Sequence, residues 1–301
     1  MALPNLLQNY LIELNGQPAG RLFEMSGGGV QADVISETVG GNRIHKHIGT
    51  IKYEDITLTC GTGMAQGFYN WISDMVGGGA KRKDGAIVAM GANLKPQSRL
   101  EFNEALITSV VMPKCDAGSK DAAYIAISIS PERTRRITSD LTQNTGVHVS
   151  GLAKSWHIND FKLTIDGLES DCAHVRSIGP LSAGVKLVDT PTGEKRDSER
   201  APSDREDYSD LVITLNNNDA NGFYQWFEDF VVKGNSTDER RGVLQYFAPG
   251  ASNPYFKVEL LGLGPYKMEG VKPVDPNTAM PMNFRIYCEG MKFSAGASAV
   301  T

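Results

Sequence analysis

The stretch Gly67-Phe68-Tyr69-Asn70-Trp71-Ile72-Ser73-Asp74-Met75-Val76 decides how this chain is read, because it occurs twice. Its second copy is Gly222-Phe223-Tyr224-Gln225-Trp226-Phe227-Glu228-Asp229-Phe230-Val231. Gly, Phe, Tyr, Trp, Asp and Val recur at the same positions. The register also holds upstream, where Tyr53-Glu54-Asp55-Ile56-Thr57-Leu58 answers Tyr208-Ser209-Asp210-Leu211-Val212-Ile213. A register kept across both segments points to one unit written twice. Two copies make a duplicated domain rather than a solenoid.

Each copy of the stretch reads as a short helix. Phe68, Trp71, Ile72 and Met75 fall at i, i+3, i+4 and i+7, and Phe223, Trp226, Phe227 and Phe230 do the same. That spacing gives one apolar face, the expected core of each copy. Thr62, and Asn218 or Asp219, are the candidate N-terminal caps. Gly77-Gly78-Gly79 and Gly234-Asn235 end the helices. So short a helix is marginal alone and must lie on something.

Outward from the helices, both copies read as strands. Tyr10 to Asn15 alternates, Asn15-Gly16 signals a hairpin, and Arg21 to Met25 returns. After Gly27-Gly28-Gly29, Val30 to Val39 and Arg43 to Ile48 flank Gly40-Gly41-Asn42 as a longer hairpin. Its arms carry Gln31, Asp33, Ser36 and Glu37 against Arg43, His45, Lys46 and His47. A ribbon this polar belongs to solvent or to a neighbour's sheet. Asp55 to Cys60 leads into the first helix. Asp84-Gly85 within Lys81 to Met90 suggests another hairpin, and Ser98 to Val111 and Ala122 to Ser130 complete the unit. Residues 133–154, rich in Thr, Ser and Gly, read as a linker between domains at 1–132 and 155–301. In the second unit Trp156 to Asp166 opens, and Asp166-Gly167 echoes Asn15-Gly16. Thr190 to Glu206 is highly charged and reads as a mobile loop. Ala173 to Ile178 and Val185 to Asp189 read as strands ahead of that loop, and the remaining strands are Asp210 to Leu215, Arg240 to Phe247, Tyr255 to Leu263 and Asn283 to Phe293. The expected fold class is mainly β: two tandem β-sandwich or barrel domains, each with one covering α-helix.

Length and composition agree. A chain of 301 residues favours two domains, and 22% charged with 41% hydrophobic residues is ordinary for globular protein. The formal net charge of −5 argues against general nucleic-acid binding. Cys60, Cys115, Cys172 and Cys288 show no CxxC spacing and read as buried free thiols. The N-terminal residues lack a basic region and a long apolar run, so neither a Sec signal nor a membrane-spanning helix is expected. There is no GxSxG, HExxH or GxxxxGK[ST], and His45 with His47 has no third ligand nearby. No catalytic residue, cofactor or metal is expected, and the chain is read as no enzyme.

The order of these features resembles the tail tube protein family of contractile phages and phage-like injection systems. The residues that carry the resemblance are Gly40-Gly41-Asn42, Lys52-Tyr53-Glu54-Asp55-Ile56-Thr57-Leu58, Trp71 and Arg82-Lys83-Asp84-Gly85-Ala86-Ile87-Val88. It covers about the first 130 residues. The second half keeps Tyr208, Asp210 and Trp226 but has Arg240-Arg241-Gly242 in place of the Lys-Asp-Gly turn. The resemblance implies barrels that join edge to edge into rings, which stack into a hollow tube inside a sheath. It implies that the ribbon, through Gln31, Asp33, Glu37, Arg43, His45, Lys46 and His47, touches the next ring. It further implies partners in itself and in sheath, baseplate or spike proteins, and a place in the virion or particle tail after assembly in the bacterial cytoplasm. Neither membrane insertion nor specific nucleic-acid binding is expected. Tube proteins of the family carry one such domain, whereas baseplate hub proteins carry two, so a hub or tube initiator is the alternative. A second alternative is a monomeric pair of β-sandwich modules that bind carbohydrate or peptide through exposed Trp156 and Tyr255.

Overall fold

A computed structural model describes residues 9–39, 43–91, 95–138, 156–191, 198–271 and 280–296. The first copy runs β1 (Asn9–Leu14), β2 (Gln17–Gly27), β3 (Val30–Thr38), β4 (Ile44–Tyr53), β5 (Ile56–Cys60) and α1 (Gln66–Val76). It continues with β6 (Lys83–Met90), β7 (Pro96–Val111), β8 (Cys115–Asp116), β9 (Ile125–Ser130) and β10 (Arg133–Ile137). The second copy runs β11 (Phe161–Ile165), α2 (Glu169–Cys172), β12 (Ser177–Ile178), β13 (Ser182–Pro191), β14 (Ser198–Tyr208), β15 (Leu211–Asn216) and α3 (Asn221–Phe227). It ends with β16 (Arg240–Phe247), β17 (Pro254–Gly270) and β18 (Pro281–Ala295). The fold is mainly β, as expected.

In the first copy β1 pairs with β2 and β6, β6 with β7, β7 with β9, β9 with β5, and β5 with β2. Six antiparallel strands therefore close on themselves, which leaves the barrel no edge around its ring. Alternation fills the inside: Ile56, Leu58, Ile125, Ile127 and Ile129 are buried, while Ala126 and Ser128 between them are only half so. Asn15 and Gly16 both have positive φ, and they make the tight β1–β2 hairpin read from the sequence.

The second copy repeats the strand order as β11-β16-β17-β18-β15-β12 but does not close, since β11 and β12 do not pair. The duplication reaches down to defects. β7 and β17 each carry a left-handed residue, Glu104 and Gly262, and each slips register just after, between Ile107 and Ser109 and between Pro265 and Lys267.

Several expectations fail for local reasons. Asp84-Gly85 makes no hairpin: β6 runs straight through it, and Gly85 is there because a Cβ would meet Glu13 O at 2.3 Å and the Phe102 ring at 2.4 Å. Asp166-Gly167 turns into the one-turn helix α2 instead of a strand, because Leu168 and Cys172 are drawn into the core. The charged run 190–206 is no loop; its described residues belong to the β13–β14 hairpin. Residues 133–137, read as the start of a linker, form β10 against β7, and residues 139–154 of that linker lie outside the described residues. Trp156 and Tyr255 are buried at 3% and 2% exposure, which removes the exposed aromatics the binding-module reading needed. Neither helix takes the expected cap. Ala65 and Ala220 stand at the N-caps without side-chain hydrogen bonds, while Thr62 uses its carbonyl to accept the Tyr69 hydroxyl at 2.8 Å.

The helix cores are as read, with one exception. Phe68, Trp71, Ile72, Met75, Phe223, Trp226 and Phe230 are buried, and Phe227 is half-buried where α3 loosens into a π-helical turn at Glu228–Val232. Each tryptophan is anchored alike. Trp71 Nε1 donates to Lys81 O (2.8 Å) and Trp226 Nε1 to Asp238 O (3.1 Å), with Lys83 and Arg240 over the respective rings. Trp71→Ala or Trp226→Ala is expected to cost about 3–5 kcal/mol through the cavity left behind, read as a lower denaturant midpoint.

All four cysteines are free, and burial pushes the Cys60, Cys115 and Cys172 thiols up to about 12. Thiols held protonated at pH 8 react slowly. Iodoacetamide is therefore expected to leave these three unlabelled in the native protein and to label them in denaturant, as mass spectrometry would record.

Candidate assembly interface

Strand lengths create the first feature of interest. β6 pairs with β7 only as far as Ala105, so β7 continues to Val111 with one edge bare of first-copy strands. A bare edge is a template for pairing. The second copy occupies it: Ser182, Ala183 and Gly184 of β13 pair with Val111, Val110 and Ser109. The β13–β14 hairpin thus extends the first copy's sheet.

Arg200 on β14 then locks the hairpin down. Its guanidinium meets Asp55 Oδ1 at 3.1 Å, donates to Tyr53 O at 2.8 Å, and donates to Ser130 Oγ. Its backbone N–H donates to Glu132 Oε1 at 3.0 Å, and Glu132 also holds Arg82 at 2.6 Å. Arg82 in turn donates to the carbonyl of Arg200. Charge-assisted bonds of this kind are the stronger ones, and here they form between the two copies.

The helix α1 closes the middle of the seam. Tyr69 sits 5.3 Å from Phe256 and 6.4 Å from Phe293, and Ser73 Oγ donates to Phe293 O at 2.8 Å. Tyr208 donates to Val76 O at 3.2 Å, and burial pushes its phenol pKa up. A helix expected to cover its own barrel therefore has a second partner. A cavity of about 260 Å³ lies beside it, lined by Met75, Leu106, Val185 and Pro202 among others.

The seam also runs in the reverse direction. The first-copy segment around β8 fills the gap between β11 and β12, with β8 paired to β12. Asp116 N donates to Ile158 O (3.0 Å), Ala117 N to Arg176 O (2.9 Å) and Ala123 N to Trp156 O (2.8 Å). Trp156 packs against Tyr246 and Phe256. Each copy thus completes the other's sheet.

Among the described residues the β3–β4 ribbon has no such cover. It is a two-stranded sheet of its own. Gln31, Glu37, His45, Lys46 and His47 are exposed, Asp33 lies beside Lys52 at 3.2 Å, and His47 lies 3.6 Å from Glu37. Arg43 precedes β4, and its carbonyl accepts the Val39 N–H at 3.0 Å; the tip 40–42 lies outside the described residues. The ribbon is less polar than its charged residues suggest: Val30, Val34, Ile35, Ile44 and Ile48 are all exposed on it.

Residues 8–135 match the family model for the T4-like virus tail tube protein gp19. The matched residues span the first copy, from β1 into β10. The match ends within β10, and the second copy lies outside it. Among solved structures, the anti-feeding prophage cap, a tube-terminating cap, is 22% identical with a TM-score of 0.39, over 46% of this chain and 93% of that one. The sheath–tube complex of the PVC extracellular contractile injection system in its extended state is 21% identical with a TM-score of 0.39, over 46% and 94%. The six-fold symmetrised anti-feeding prophage baseplate is 16% identical with a TM-score of 0.38, over 46% and 97%. No curated protein matches the chain.

Sequence reasoning found the ribbon and the helices but missed Arg200, Glu132 and the β7 edge. Arg200 sits in a run whose composition resembles disorder, and strand pairing between copies leaves no mark on a single sequence. Arg200→Met is expected to destabilise the protein by about 1–3 kcal/mol, since it leaves charged partners unpaired at the seam. Chemical denaturation measures the loss, and hydrogen exchange should quicken at Ser109–Val111.

Proposed function

We propose that the chain is a structural subunit of the inner tube of a contractile phage tail or phage-like injection system. It assembles into stacked rings whose lumen passes cargo or DNA. The observation that carries this reading is the tail tube match over residues 8–135. The seam supports it, because it already joins the two copies side by side by strand pairing. Its action is assembly, with sheath and baseplate proteins as the outer partners and the particle tail, built in the bacterial cytoplasm, as its location. The alternative within the same machine is a hub or tube initiator, which two copies in one chain would also suit.

Electron microscopy of the purified full chain tests the reading, with rings or tubes as the expected outcome. Only monomers at every concentration, with and without a sheath partner, would overturn it. Native mass of an isolated ring separates the roles: three chains place both copies in one ring, and six place them in two.

The ribbon tip is proposed to reach the neighbouring ring. Deletion of residues 38–43 removes no buried residue among those described, so the protomer should keep its melting temperature and lose tube length. Tubes of normal length would remove the tip from the mechanism.

A further inference from the structure

The seam between the copies has a donor side on the second copy and an acceptor side on the first. Duplication means that each copy also owns the other side, and among the described residues nothing covers those two remaining sides. We infer that a second copy of this chain occupies them, so that the β3–β4 ribbon of one chain pairs with the edge of β17 in its neighbour in the register of the internal seam. The inference rests on the tube reading for the expectation that chains associate at all; the register comes from the duplication.

The correspondence follows from strand pairing. Tyr53 faces Val30 and Tyr208 faces Ala183, so Val30 answers Ala183 and the three seam residues answer Gly29, Val30 and Gln31. Ile107 and Pro265 face the equivalent Ile129 and Ile286, so after the shared slip Ser109, Val110 and Val111 answer Lys267, Met268 and Glu269. Beyond Leu263, β17 pairs with β18 on one side, and among the described residues no strand covers its other edge. Among the described residues no strand covers the outer edge of Gly29–Gln31 either, whose inner side is held by Glu54 and β4. The expected pairs are Gln31 with Lys267, Val30 with Met268 and Gly29 with Glu269.

Burial agrees with an absent partner. Ala183 is 5% exposed in the seam, and its counterpart Val30 is 58% exposed. Val76 is 4% exposed where Tyr208 reaches it, and its counterpart Val231 is 43% exposed. Large apolar side chains left open at the equivalents of buried ones mark an unfilled contact.

Charge agrees as well. Ser36 faces Lys46 and Asp189 faces Arg200 at the same step of the two ribbons, so Lys46 answers Arg200. Asp55 and Glu132, which receive Arg200, answer Asp210 and Glu289. Where the first copy adds Arg82, the second has Glu239 just before the ring-stacking Arg240, so the acceptor is more acidic. The Lys46 ammonium is thus aimed at Asp210, Glu239 and Glu289.

The helix contact has a counterpart too. In the second copy Phe256 and Phe293 seat Tyr69; their counterparts in the first are Ser98 and Arg136. These two line a cavity of about 230 Å³ with Tyr10, Met25 and Leu100. Tyr224, the counterpart of Tyr69, is half-buried on α3 and enters this cavity from the neighbour. A contact that joins unlike sides repeats head to tail and closes into a ring when its rotation permits.

The test uses the full chain carrying Gln31→Cys in one preparation and Lys267→Cys in another. Paired residues on adjacent antiparallel strands lie about 4.5–5.5 Å apart at Cα, within disulfide reach. Mild oxidation of the mixture should give a reducible covalent dimer that neither single variant nor wild type gives. Lys46→Glu should lower assembly in native mass spectra, and adding Asp210→Lys should restore it, with circular dichroism showing that each variant is folded. Rings that form without the cross-link, or that ignore Lys46→Glu, overturn this interface and leave the tube reading standing. Wild-type chains that stay monomeric at every concentration overturn both.

Discussion

A mismatch in strand length organises this molecule. β7 outruns β6 by the stretch from Leu106 to Val111, and an uncovered strand edge in a closed barrel must find a partner or risk indiscriminate pairing. The second copy supplies that partner from within the same chain. Once β13 is laid down, the hairpin carries Arg200 to Asp55 and Ser130, and the first-copy segment around β8 comes into reach of β12. Helix α1 is then enclosed on both sides. Backbone pairing positions the layer, charged bonds fix its register, and the aromatic cluster of Tyr69, Phe256 and Phe293 excludes water from its middle.

Function and stability therefore draw on the same contacts. The hydrophobic core is continuous from Ile12 in the first copy to Phe293 in the second. Such continuity means that a force applied to one copy is met by the packing of both.

Much of this was legible in the sequence, for reasons that can be located. The helices declared themselves through Phe68, Trp71, Ile72 and Met75, since one apolar face at period 3.6 is what a helix lying on a core requires. The Asn15-Gly16 hairpin was legible because positive φ at both residues demands that pair. Asp84-Gly85 carried the same signal and meant something else: Gly85 answers a steric demand from the Phe102 ring on the neighbouring strand β7. Tyr69 and Tyr224 are the same letter at the same step, yet one is enclosed by the other copy and one is half open. Nothing local distinguishes them. The site lies in relations between copies, and those become visible only when the strands are paired.

Fusion of the two copies also changes the kinetics of building anything larger. Within one chain the copies meet at an effective concentration that dilution does not change, so the internal seam forms regardless of how dilute the protein is. Contacts between chains depend on expression level. A fused pair enters assembly as a pre-formed dimer, the species that is hardest to populate when separate subunits must collide. Such a chain can begin an assembly at a lower concentration than two separate copies could.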